Sequence, residues 1–146
     1  DKAILSEEKV FLIILSRPLE PPCLFLDLIK LNPTIICTDG AANYFSSFVR
    51  LEHYNHALDN HRGYGLNQTG NKRILFTIET NKVIQIDEQD STDLEKAIRF
   101  VINMDSLPKK IIALGAFGGR IDHTLSSIHV LYKFTKSTES EIILMD

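Results

Sequence analysis

The chain lacks a C-x-x-C pair, a basic arm, an apolar stretch of membrane length and a Walker A sequence. Each absence removes a class of function. Cys23 and Cys37 both fall in apolar stretches, so they read as reduced, buried thiols rather than a disulfide or a metal pair. The 16 Lys and Arg are scattered, and the net charge is -3, which argues against a nucleic-acid partner. No segment approaches the roughly 20 apolar residues of a membrane helix. Residues 10–15 are too few for a signal sequence and follow an acidic stretch, so a cytoplasmic protein with no membrane contact is expected. His53, His56 and His61 fit no standard zinc spacing, and no cysteine joins them.

What is present fits one domain: 146 residues with 44% apolar content can bury a single core. Residues 10–15 form a continuous apolar run, the pattern of a strand covered on both faces. Leu24, Phe25, Leu28 and Ile29 recur at helical spacing, and Pro33 stops the helix. Residues 34–38 read as a second buried strand, followed by the helix start Ala41-Ala-Asn-Tyr-Phe45. Residues 51–73 are polar and without period, as in a long loop. Residues 74–78 and 82–86 read as a hairpin around Glu79-Thr-Asn81. Thr92 and Glu95 have capping-box spacing, which starts a helix near Asp93 whose apolar face is Leu94, Ala97, Ile98, Val101 and Ile102. Residues 110–114 are the next strand, and 141–145 the last. Between them Ile121, Leu125, Ile128, Leu131 and Tyr132 mark a helix. This alternation predicts a mostly parallel, Rossmann-like three-layer α/β sheet with flanking helices and right-handed crossovers.

The chemistry collects in three loops, each placed after a strand and before a helix. In Leu114-Gly-Ala-Phe-Gly-Gly-Arg-Ile-Asp-His123, three glycines within five residues bring backbone close to an anion at a helix N-terminus. Arg120 adds a planar cation suited to phosphate, while Asp122 would repel one unless a divalent cation lies between them. The other two loops are Thr38-Asp-Gly-Ala-Ala-Asn43 and Gln89-Asp-Ser-Thr-Asp93. In a parallel sheet all three emerge at the carboxyl ends of the strands, where ligands bind. They bring Asp39, Asp90, Asp93, Asp122 and Arg120 to one edge, a hard-oxygen set suited to Mg²⁺ with substrate phosphates. Plainer readings stand beside this one: Asp39-Gly40 as a turn, Asp90 or Ser91 as a helix cap, and Arg120 with Asp122 as a surface ion pair of little worth.

Asp39-Gly-Ala-Ala-Asn43, Gln89-Asp-Ser-Thr-Asp93 and Gly118-Gly-Arg-Ile-Asp-His123, in this order, resemble the signatures of thiamin pyrophosphokinase. Ile13-Ile-Leu-Ser-Arg-Pro-Leu19 is similar to that family's first strand and loop. The resemblance covers nearly the whole chain and implies the amino-terminal catalytic domain. It implies Mg²⁺-dependent transfer of a diphosphate from ATP to thiamin, giving thiamin diphosphate and AMP. It also implies that Asp39, Asn43, Gln89, Ser91, Thr92, Gly118, Gly119 and Arg120 meet nucleotide or phosphate. Asp39, Asp59, Asp93 and Asp122 would be the metal-side carboxylates, with Asp93 or Asp122 taking the hydroxyl proton and Arg120 stabilising developing charge.

Two departures from the family pattern are visible. The family's Gly-Asp-x-Asp-Ser motif is missing between the first two signatures, and by position its nearest counterpart is His56-Ala-Leu-Asp-Asn60, where Asp59 stands for the second aspartate. The family's β-rich carboxy-terminal domain, which helps to form a thiamin pocket between two subunits of a homodimer, is expected to be absent from residues 1–146. The alternative is therefore a catalytically impaired relative that serves as a nucleotide-binding or dimerisation module.

Overall fold

The computed structural model describes residues 9–17, 22–31, 33–38, 40–41, 74–77, 82–85, 90–104 and 108–146. Among these, the elements in chain order are β1 (Val10–Ile14), α1 (Pro22–Ile29), β2 (Thr34–Cys37), β3 (Ile74–Thr77), β4 (Lys82–Gln85), α2 (Asp93–Ile102), β5 (Lys110–Leu114), α3 (Ile121–Thr135) and β6 (Glu141–Met145). The strands form one sheet in the order β4-β3-β2-β1-β5-β6. The four strands β2, β1, β5 and β6 are parallel, and the β3–β4 hairpin joins antiparallel at the β2 side. This is the expected mostly parallel α/β sheet, with the hairpin where the sequence placed it.

The central strands are unbroken apolar runs because both of their faces are covered. Side chains alternate across the sheet. Phe11, Ile13, Ile111 and Ala113 point to the face covered by Leu94, Ala97, Ile98 and Val101 of α2 and by Val130 and Phe134 of α3. Leu12, Ile14, Ile112 and Leu114 point to the other face, against Phe25 and Leu28 of α1. The result is three layers, with α1 on one side and α2 and α3 on the other.

Helix α2 begins as its sequence requires: the Thr92 side chain accepts from the Glu95 amide at 3.2 Å. The second half of the capping box is replaced by tertiary contacts. The Glu95 carboxylate, almost buried, accepts from Arg99 one turn later and from Lys133 of α3, both at 2.6 Å. Glu95 thus ties the two helices of one face together. These cations, Lys133 foremost, hold its pKa below the usual carboxylate range.

One expectation is corrected, the burial of both cysteines, and the packing side of α3 is one that the sequence left open. The residues that mark α3 look outward: Ile121 is 75% exposed, Leu125 60%, Ile128 48% and Tyr132 61%. The side that packs is Ser127, Val130 and Phe134. Hydropathy located the helix but could not choose between two stripes, and the sheet selected the one carrying a serine. Cys23 is likewise exposed at the start of α1, whereas Cys37 is buried in β2. Desolvation pushes the Cys37 thiol up to about 12.

Two predictions follow from burial. Because the folded pKa of Glu95 is depressed, its stabilising contacts are fully present above the ordinary value of 4.5 and are lost as pH falls through the folded value. Melting temperature followed downward from pH 5 should therefore drop more steeply for the native chain than for Glu95→Gln; parallel curves would refute the linkage. A thiol reagent at pH 8 should titrate Cys23 rapidly and reach Cys37 only after denaturation.

Candidate functional site

The loop after β1 leads to α1 on one face of the sheet, while the loop after β5 leads to α3 on the opposite face. Since β1 and β5 are neighbours, these connections diverge and open a crevice at their carboxyl ends, the place where open α/β sheets bind ligands. Backbone hydrogen bonds fix the floor. Leu15 donates to the Leu114 carbonyl at 3.0 Å, Thr38 donates to that of Ile14 at 3.0 Å, and Ala116 donates to that of Met145 at 3.0 Å. The buried Thr38 hydroxyl adds a second bond to the Ile14 carbonyl at 3.3 Å. A cavity of about 490 Å³ occupies the crevice, a size suited to a small-molecule ligand.

Its walls come from each of the three loop regions. Ser16 and Arg17 follow β1, and Thr38 follows β2. Asp90, Ser91, Thr92 and Asp93 lead into α2. Gly115 and Ala116 follow β5, and His123, Ser126 and Ser127 belong to the first turns of α3. Asp90 and Asp93 are two hard oxygen donors on this surface, as Mg²⁺ shared with phosphates requires. Among the described residues no group of three or more His, Cys, Asp or Glu is placed to hold a metal ion.

Ser91 carries the clearest sign of a ligand. It is only 7% exposed, it lines the cavity, and its hydroxyl has no hydrogen-bond partner among the described residues. A buried hydroxyl left unpaired costs about 1–3 kcal/mol, so such groups are normally satisfied by something. Thr92 spends its oxygen on the α2 cap and keeps its proton to donate.

Of the residues singled out by sequence, Asp90, Ser91, Thr92 and Asp93 therefore share one cavity. Gly118 and Gly119 lie exposed in the loop before α3. Arg120 and Asp122 sit outside the cavity wall and are engaged with each other. Arg120 Nε donates to Asp122 Oδ1 at 3.1 Å, and Nη2 donates to Oδ2 at 2.5 Å. Asp122 Oδ1 also accepts from the His123 amide at 3.0 Å. Each raises the charged character of the other: Arg120 pulls the Asp122 pKa down, and Asp122 pushes that of Arg120 up. Both are exposed, so the pair contributes little to stability. Asp39, Asn43, Asp59 and Gln89 lie outside the described residues.

Sequence reasoning passed over Ser16, Arg17 and His123 as participants. For Ser16 and Arg17 the signal was available, since they directly follow the first buried strand and so had to emerge at the ligand edge. Lys96, one turn into α2, is buried with no hydrogen-bond partner for its ammonium among the described residues, but it is not one of the cavity-lining residues.

Residues 25–144, which include the cavity walls contributed by α2, β5 and α3, match the family described as thiamin pyrophosphokinase, catalytic domain. The chain belongs to that family. Thiamin pyrophosphokinase relatives include "Thiamin pyrophosphokinase 1" of Caenorhabditis elegans, 29% identical over 113 residues, which are 75% of this chain and 44% of the relative. "Thiamine pyrophosphokinase 3" of Oryza sativa subsp. japonica is 42% identical over 67 residues, 43% of this chain and 25% of the relative. "Thiamine pyrophosphokinase 2" of Arabidopsis thaliana is 34% identical over 70 residues, 45% of this chain and 25% of the relative. The chain thus spans less than half the length of these thiamin pyrophosphokinase relatives. Among the described residues, no helix is long and apolar enough to cross a membrane.

If the Ser91 hydroxyl is unpaired in the free protein, Ser91→Ala should leave the melting temperature unchanged or raise it. A loss above about 1 kcal/mol in denaturant unfolding would show that the hydroxyl is bonded.

Proposed function

We propose that the chain is the catalytic α/β unit of an enzyme that transfers a diphosphate from ATP to thiamin, releasing AMP. The observation that carries this reading is the Ser91 hydroxyl, buried without a partner among the described residues in a cavity walled by Asp90, Thr92 and Asp93 of the second signature. In the reaction the thiamin hydroxyl oxygen forms a bond to the β-phosphorus. The bond from that phosphorus to the α,β-bridging oxygen breaks, and AMP departs. Such a loose transition state needs alignment and charge neutralisation more than covalent help from the protein.

The residues divide the work accordingly. Ser91 and Thr92 donate to phosphate oxygens at the N-terminus of α2, where the helix dipole favours negative charge. Asp90 and Asp93 would hold Mg²⁺, together with Asp39 and Asp59, and the bound ion would neutralise charge on the triphosphate. Asp93 or Asp122 accepts the hydroxyl proton. The carboxylate of Asp122 is already held by Arg120 and the His123 amide, which makes it a weaker base. For Arg120 and Asp122 to reach ligand, as their place in the third signature implies, they must exchange their mutual ion pair for contacts with phosphate and metal. Gly118 and Gly119 leave the backbone accessible to phosphate, while Asn43 and Gln89 complete the nucleotide contacts.

The proposal extends to a cytoplasmic homodimer, supported by the outward apolar stripe of α3. A second reading is a nucleotide-binding or dimerisation module without turnover, favoured by the missing Gly-Asp-x-Asp-Ser motif.

Calorimetric titration with a non-hydrolysable ATP analogue and Mg²⁺ should show binding, and thiamin-dependent AMP release should separate enzyme from module. Binding without AMP release selects the module; no binding refutes both. Asp93→Asn should lower turnover by about 100-fold or more, in line with loss of a proton acceptor and a metal-side carboxylate. Unchanged turnover would remove Asp93 from the mechanism.

A further inference from the structure

We infer that Arg17, a residue outside the family-matched segment, is the cation that seats a phosphoryl group in this cavity, ahead of Arg120. The inference rests on the phosphate-transfer reading above and adds a residue to it.

Arg17 follows β1 and lines the cavity together with Ser91 and Asp93. Its Nη2 donates to the Gly118 carbonyl, which lays the guanidinium along the glycine loop on the far side of the crevice. The Arg17 amide donates to the Leu15 carbonyl at 2.7 Å; the guanidinium has five N–H donors, and beyond the Gly118 bond it takes no further partner among the described residues. A planar fork with unspent donors at the wall of a cavity is suited to phosphate oxygens.

The glycines are shaped to this side chain. Gly118 and Gly119 have φ of +81° and +63°, which L side chains rarely adopt. A Cβ at Gly119 would lie 2.7 Å from Arg17 Nη2, and one at Gly118 would lie 3.0 Å from Nη1 and 2.8 Å from Asp146 Oδ2. The loop therefore does more than approach a ligand with bare backbone. It holds a cation in place, and the carbonyl of Gly118 fixes the direction of its fork.

Two further features favour Arg17 as that cation. The Ser91 hydroxyl is buried and unpaired at the start of α2, a ten-residue helix whose N-terminus carries partial positive charge. Arg120, the obvious cation by sequence, is closed bidentately on Asp122 and absent from the cavity wall. An oxyanion entering here meets Arg17 and Ser91 without breaking an existing ion pair, whereas recruiting Arg120 would break one.

The test compares Arg17→Ala, Arg17→Lys and Arg120→Ala with the native full chain. Binding of inorganic tripolyphosphate and of a non-hydrolysable ATP analogue is measured by calorimetry with Mg²⁺. Arg17→Ala should bind both at least tenfold more weakly, Arg17→Lys should recover part of the loss, and Arg120→Ala should lose less than threefold. If Arg17→Ala fails to fold, Gly119→Ala gives the same information. It keeps the charge, pushes the guanidinium aside, and should weaken binding at least fivefold. Arg17→Ala within twofold of native, or a larger loss in Arg120→Ala, overturns the proposal while leaving the nucleotide reading intact. Native binding of tripolyphosphate but not of the ATP analogue, with Arg17→Ala still impaired, keeps the Arg17 seat and removes the nucleotide reading. No native binding of either removes both.

Discussion

Parallel pairing of β1 with β5 is the constraint on which the rest of the molecule depends. It sets Ile14 beside Leu114, so the two loops that follow leave the sheet at the same height. One must cross to α1 and the other to α3, on opposite faces, and the gap between them cannot be closed by either. The cavity is a consequence of this divergence rather than of any side chain. The apolar runs of β1 and β5, buried on both faces, supply the hydrophobic stabilisation that holds the register.

On that frame, charge is distributed unevenly between surface and cavity. Arg120 and Asp122 neutralise each other in solvent, at little gain to stability. Glu95, Arg99 and Lys133 form a partly buried cluster, where lower solvent screening makes each contact stronger. That cluster locks α2 to α3, the helices whose first turns carry Asp93 and His123. The alignment of two cavity walls is thus set about half a turn and three turns away, respectively, by a single carboxylate.

Strand positions, the α2 start and the ligand edge were legible in the sequence because each rests on local pattern. Buried strands show as unbroken apolar runs, and Thr92 announces a cap. The orientation of α3 was not legible. Its two candidate stripes differ by about half a turn, and the stripe that packs contains Ser127, which hydropathy alone would reject. The ion pair of Arg120 with Asp122 was among the plainer readings of the sequence, although residues two apart on a helix do not normally meet. They do so because Arg120 is the extended N-cap residue rather than a helical one. The place of Arg17 at the ligand edge could be read from the strand before it, but its contact with Gly118 could not, because that contact spans 101 positions.

The fit of Arg17 against Gly118 and Gly119 couples three positions that evolution would otherwise vary separately. A side chain at either glycine must displace the guanidinium as well as strain the backbone, so such changes face two penalties while an arginine stands at position 17. Where a relative carries a shorter residue there, the steric half of that ban is lifted at Gly119, whereas at Gly118 Asp146 Oδ2, 2.8 Å from an added Cβ, still stands in the way. Positions 17 and 119 should therefore drift together across the family, as one inherited unit drawn from two distant loops.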